Sequence, residues 1–89
     1  MSDAAAAAGA AGLTLLSRAD CSLCAEMQQA LAQLSLEFSL PDLVIVDVDD
    51  DPLLARRHAL DLPVLLLDGE VVCKHRLDSS ELRRLLRPR

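Results

Sequence analysis

Short apolar runs alternate with amphipathic stretches along the chain, and turn or cap residues mark the junctions between them. Leu13 to Ser17 follows a glycine and reads as a buried strand, after which Arg18-Ala19-Asp20 turns the chain. From Cys21 onward, Leu23, Met27, Ala30, Leu31 and Leu34 recur at helical spacing opposite Glu26, Gln28, Gln29 and Gln33, which predicts a first helix with one inward face. The pattern fades after Leu34. Leu36, Phe38 and Leu40 then alternate with polar residues up to Pro41, predicting a partly extended connection packed at the surface. Leu43 to Val48 is β-branched, too short for a helix and apolar enough to be covered on both faces, so it reads as a second strand. Asp51-Pro52 supplies a cap acceptor followed by a residue that needs no N–H at the first helical position, and predicts a second helix to about Leu60.

Leu62-Pro63 leads into Val64 to Leu67, then Asp68-Gly69, then Glu70 to His75. Asp-Gly between two apolar runs is a strong hairpin signal, so strands three and four are expected to be antiparallel neighbours. Asp78-Ser79-Ser80-Glu81 is a capping box, with Leu77 and Leu82 placed as a hydrophobic staple. Leu82, Leu85 and Leu86 give the last helix an inward face, while Arg83, Arg84 and Arg87 suit its exposed side and C-terminal end. The order is strand, helix, strand, helix, strand, strand, helix. A right-handed crossover makes strands one and two parallel, and the hairpin adds two strands of mixed direction with helices on both faces. That is a thioredoxin-like α/β layout.

Composition narrows the partners. The 89 residues are 52% hydrophobic, enough for a single core, and Phe38 is the only aromatic residue. A formal charge of -5 and the lack of stacking aromatics argue against nucleic acid. The longest leucine-rich run, Leu62 to Leu67, is strand length and far short of a membrane span, so no membrane partner is expected. Residues 1–12 are mostly alanine, with Asp3 where a signal peptide carries positive charge, and read as a disordered leader ahead of a domain at 13–89. Three cysteines are too few for a secreted disulfide framework, which points to a reducing, cytoplasmic setting. A monomer is expected.

The chemistry concentrates at Cys21-Ser22-Leu23-Cys24. Two thiols at this spacing meet across the first turn of a helix, where unpaired N–H groups and the positive end of the dipole favour a thiolate on the first. Cys21 is the candidate nucleophile. Cys24, one turn on, is the candidate resolving thiol, placed to attack a mixed disulfide on Cys21. Asp20 opposes the thiolate that the dipole and Arg18 favour. The same spacing supplies half of a zinc site or part of an iron–sulfur ligand set, and Cys73 and His75, alternating on strand four, are the residues that would complete a zinc site. The plainer reading of Cys73 is a half-buried hydrophobe, of Asp49-Asp50-Asp51 a solvated acidic loop, and of His58 a packing residue.

Cys21-Ser22-Leu23-Cys24 after strand one, Asp47-Val48-Asp49 ending strand two, Leu62-Pro63-Val64-Leu65 opening strand three, and Asp68-Gly69 in the hairpin together resemble glutaredoxins. More narrowly, the chain resembles the small glutaredoxin-like family with a Cys-x-Leu-Cys motif, over roughly Leu13 to Leu86. The resemblance implies a three-layer thioredoxin-like sandwich with sheet order 2-1-3-4 and three helices. It also implies a cis bond before Pro63, with Pro63 beside the cysteines and the Leu62 backbone pairing with substrate. Glutathione-using glutaredoxins usually carry Cys-Pro-Tyr-Cys, a nearby basic residue, and Gly-Gly with an acidic pair before the last helix. Here Ser22-Leu23 stands in the motif, Arg18 is the nearby basic residue, and His75-Arg76-Leu77-Asp78 lacks glycine, which weighs against glutathione as reductant.

The leading expectation is thiol–disulfide exchange on a protein or small-molecule disulfide, with no bound cofactor and with a reductase or glutathione restoring the dithiol. The alternatives are a metal-binding protein using the same cysteines and an interaction module with little turnover. Alkylation of the reduced protein is expected to be faster at Cys21 than at Cys24, since Cys21 is the thiol expected to be more exposed and more acidic. Equal rates, read by peptide mass mapping, would contradict that assignment.

Overall fold

A computed structural model describes residues 12–87, so all of the expected leader except Gly12 lies outside the described residues. The elements are β1 (Leu13–Ser17), α1 (Ser22–Ser35), β2 (Leu43–Asp47), α2 (Pro52–Arg57), β3 (Val64–Leu67), β4 (Glu70–Lys74) and α3 (Ser79–Leu86), with a single 3₁₀ turn at Val48–Asp50. The sheet order is β2-β1-β3-β4. Strand β1 runs parallel to β2, with Ser17 opposite Asp47, and antiparallel to β3, while β3 and β4 form the hairpin. This is the thioredoxin-like fold.

The sheet separates two apolar clusters. On one face Leu13, Leu15 and Leu65 meet Met27, Leu31 and Leu34 of α1 and Leu82 of α3. On the other, Leu16, Val46, Val64 and Leu66 pack with Val48, Leu62 and Cys24, and Leu54 of α2 closes against them. All five residues of β1 are buried, because it is an inner strand covered above and below.

Local chemistry fixes the junctions. Asp68 (φ 51°) and Gly69 (φ 86°) both occupy the left-handed region, as a two-residue hairpin whose twist matches its strands requires. The Asp68 carboxylate also accepts a hydrogen bond from Gly12 N at 2.7 Å, and Asp68 N donates to Gly12 O at 2.9 Å, which pins the start of β1 to the hairpin. Asp51 caps α2 by accepting from Leu53 N at 3.0 Å. Asp78 caps α3 by accepting from Glu81 N at 3.0 Å, while the Glu81 carboxylate pairs with Arg84. Leu77 packs on the same cluster as Leu82, as a staple does.

Three expectations are corrected. Strand β2 ends at Asp47 and is not covered on both faces: Leu43, Val44 and Ile45 are 36%, 44% and 50% exposed. It is the sheet edge, α1 and α3 pack over β1 and β3, and the six-residue α2 is too short to shield it. Helix α2 stops at Arg57, because His58 (φ -112°, ψ 22°) leaves helical geometry and a turn closed by Asp61 N on His58 O redirects the chain. In β4 the pairing shifts between Leu65–Cys73 and Leu66–Val71, so Val72 is an extra residue, and His75 (φ 68°) lies beyond the strand. The expected alternation of Val71, Cys73 and His75 on one face is thereby broken.

Asp51→Ala is expected to lower stability by about 1 kcal/mol and Asp51→Asn by much less, because the amide oxygen preserves the cap. Urea denaturation followed by circular dichroism checks this, and equal losses would assign the effect to charge.

Candidate redox site

β1 delivers the chain to the end of the sheet, and Asp20, at φ 58°, turns it into α1. Aspartate tolerates this left-handed conformation better than most non-glycine residues. Cys21 is the N-cap of α1, with extended backbone, so the helix begins one residue after it. Its sulfur accepts a hydrogen bond from Cys24 N at 3.2 Å, and its carbonyl accepts from Ala25 N at 3.1 Å. One of the unpaired amides that every helix start presents is thus aimed at the Cys21 sulfur, the geometry that stabilises a thiolate when the pair is reduced.

Cys21 and Cys24 are joined as a disulfide with Cα atoms 5.2 Å apart. The two sulfurs are not equivalent. Cys24 is 2% exposed within the apolar cluster of Leu16, Val64 and Leu66, whereas Cys21 is only partly buried against that cluster. Cys21 opens onto a shallow groove of 680 Å³ lined also by Ser17, Arg18, Ser22 and Gln28.

Arg18 stands in that groove with its Nε donating to both carboxylate oxygens of Asp49 at 3.1 Å. The sequence marks Arg18 but not its partner. The signal is the parallel register: Ser17 faces Asp47, so residues just past each strand end are neighbours. Leu62 is 8% exposed and shares the apolar cluster with Cys24 and Cys21, next to the fully buried Pro63. The Leu62–Pro63 peptide bond is cis, and Pro63 O accepts from His75 N at 2.8 Å.

Cys73 is elsewhere. It packs, half-buried, on the cluster of Leu13 and Leu82 and not on that of Cys24, and burial raises its thiol pKa above the ordinary value. His75 is exposed and lines a crevice with Leu23 and Met27 instead of joining the cysteines. The fourfold set of Cys21, Cys24, Cys73 and His75 is therefore not assembled. Among the described residues no group of three or more His, Cys, Asp or Glu is arranged to hold a metal ion.

The approach to Leu62 carries a feature that the sequence does not mark. Asp61 accepts a hydrogen bond from Lys74 Nζ at 3.1 Å, and His58 Nδ1 lies 3.6 Å from the same carboxylate. This ties the segment before the cis bond to β4. The Asp61–Lys74 pair joins different elements, and no local pattern announces it.

A thioredoxin-like fold with a vicinal cysteine pair at a helix start defines a thiol-redox class of protein. The family model described as Glutaredoxin-like domain (DUF836) matches residues 12–87, and the chain belongs to that family. Uncharacterised proteins from Mycobacterium tuberculosis and Mycobacterium bovis are 36% identical over 78% of this chain and 75% of their own length. A solution structure from Nitrosomonas europaea is similar at 27% identity and TM-score 0.74, covering 85% of this chain and 91% of that one. A crystal structure from X. campestris is similar at 34% identity and TM-score 0.67, covering 83% and 93%. The holo form of glutaredoxin C1 from poplar, at 18% identity and TM-score 0.63 over 92% and 77%, shares the fold. Fold, family and cysteine geometry support a thiol-redox function in general.

The Lys74 hydrogen bond, outweighing slight desolvation, holds the Asp61 carboxyl below its ordinary value of 3.8. A depressed carboxylate stabilises the fold fully above its unfolded value, so this contribution is present above about pH 4 and is lost as pH falls through the lowered range. Lys74→Met is expected to be less stable than the parent at neutral pH, with the difference shrinking toward about pH 2. Denaturant titrations across that range check it, and an undiminished difference would mean that Lys74 acts only through packing.

Proposed function

We propose that the protein is a thiol–disulfide oxidoreductase in which Cys21 attacks and Cys24 resolves. The observation that carries this reading is the asymmetry of the pair: Cys21 caps the helix, receives the Cys24 amide and is the more exposed sulfur in the groove both residues line, while Cys24 is 2% exposed. In the reduced protein the Cys21 thiolate attacks one sulfur of a substrate disulfide. The Cys21–substrate bond forms, the substrate S–S bond breaks, and the departing sulfur leaves as a thiolate that water protonates. Cys24, deprotonated as it attacks, then displaces the second substrate sulfur from Cys21 and closes the internal disulfide. Two electrons pass to the substrate, which leaves as two thiols. A second dithiol or thiol pair, from a reductase or glutathione, returns the two electrons.

The surrounding residues have separate tasks in this reading. Leu62 and Pro63 form the floor beside the sulfurs, and the Leu62 backbone is the proposed pairing partner for substrate. Arg18, held by Asp49 through Nε, lines the groove and keeps its other guanidinium donors for a substrate. No resident cofactor enters the chemistry, because both electrons reside on the cysteine pair. A reducing cytoplasm is the compartment proposed for this cycle, since a reductant must regenerate the dithiol. Among the described residues no helix is long and apolar enough to cross a membrane.

Intact mass spectrometry of protein purified without chelator, before and after mild oxidation, tests the reading. The expected result is loss of two hydrogens, mapped to a Cys21–Cys24 link, reversal by dithiothreitol, and a trapped mixed disulfide at Cys21 in the Cys24→Ser variant. A stoichiometric metal adduct that protects the cysteines would replace this function with metal binding.

A further inference from the structure

The groove at Cys21 does not end at the cysteine pair. Gln28 of α1 lines it and also lines a second groove of 330 Å³ that runs on between α1 and the edge strand, past Ala32 and Ser35 to Leu43. By strand alternation Leu43, Ile45 and Asp47 share the sheet face toward this channel, opposite Leu13, Leu15 and Ser17 of β1. The two grooves adjoin at Gln28, so the channel runs along α1 from Leu43, at the start of β2, to Cys21, with the β2 edge beside it.

Three features specify the occupant. Among the described residues no strand pairs with the outer side of β2, and no lysine, no proline and no bulge lies within Leu43–Asp47, whose one charge is Asp47 at its end. Leu43, Val44 and Ile45 are 36%, 44% and 50% exposed, which makes an apolar strip on an edge able to accept another strand. The charge along the channel is negative. Asp20 and Asp42 line its two ends, Asp47 closes β2, and Arg18, the one basic lining residue among the described residues, is engaged by Asp49.

We propose that this channel docks the substrate itself: an extended polypeptide segment, apolar at its centre and flanked by Lys or Arg, that adds to the β2 edge and presents its disulfide to Cys21. The proposal rests on the thiol–disulfide reading and names its substrate class. Continuity of the channel with the sulfur makes the occupant a substrate instead of an unrelated partner. The charge pattern selects a cationic peptide over net-anionic disulfides such as oxidised glutathione. Apolar contact at Ile45 and main-chain pairing along β2 supply binding, and the chemistry at Cys21 is unchanged.

The test is stopped-flow oxidation of the fully reduced protein by three probes. Two are peptide disulfides carrying Val-Ile-Val about five residues from the cysteine, one flanked by lysines and the other by glutamates, and the third is bis(2-hydroxyethyl) disulfide. The lysine peptide is expected to react on the order of tenfold faster than the glutamate peptide, with the gap closing at high salt. In Ile45→Lys the rate ratio of lysine peptide to small disulfide is expected to fall on the order of tenfold, about 1.4 kcal/mol. Val71→Lys, the same kind of change at an equally exposed site on the opposite edge strand, should leave that ratio as it was. Equal rates for the two peptides, or an unaltered ratio in Ile45→Lys, would overturn the docking proposal while leaving the redox reading intact. A dimer at assay concentration that Ile45→Lys dissociates would also overturn it, by giving the edge to a second copy. Failure of all three probes to oxidise the protein would remove the redox reading and the proposal together.

Discussion

Burial of β1 is the constraint on which the rest depends. Its five residues sit between β2 and β3 and between two apolar clusters, so its direction is fixed on every side. The chain leaving β1 must emerge at one defined point at the end of the sheet. Asp20 turns it there, and Cys21 becomes the first residue that can cap α1. The placement of Cys21 is thus a consequence of core packing. Leu62 reaches the same place because β3 pairs antiparallel with β1, so the start of β3 lies beside the end of β1.

Most of this architecture is legible in the sequence. Strand β1, the Asp-Gly hairpin, the caps at Asp51 and Asp78, and the helix carrying the cysteines all rest on local periodicity or on short-range turn and cap chemistry, and all lie where those signals put them. The failures are non-local. An apolar β-branched run reads the same whether its strand is central or at an edge, so the exposure of Leu43 to Ile45 depended on which elements fold over it. The extra residue Val72 in β4 turns on its pairing with β3, and nothing in Glu70 to His75 marks it. That one residue was enough to undo the expected company of Cys73 and His75.

Electrostatics around the site divide in the same way. Local sequence placed Arg18 near the cysteines, but only the parallel register of β1 and β2 brings it to Asp49, 31 positions away. The pair is exposed and contributes little to stability. Its significance is directional: it holds a long cationic side chain against the groove wall and cancels its charge. The Asp61–Lys74 pair acts comparably on the other side, joining the approach to Leu62 to β4.

Cys73 gives the division of the core into two clusters a further meaning. A protein with three cysteines has three ways to pair them, and a thiolate near an internal disulfide would reshuffle it. Here the third sulfur packs with the cluster of Leu13 and Leu82, and the cysteine pair with that of Leu16 and Val64. Held in different clusters, the sulfurs are kept apart, so the Cys21–Cys24 disulfide does not reshuffle with Cys73 and can take up its two electrons only from an external thiol.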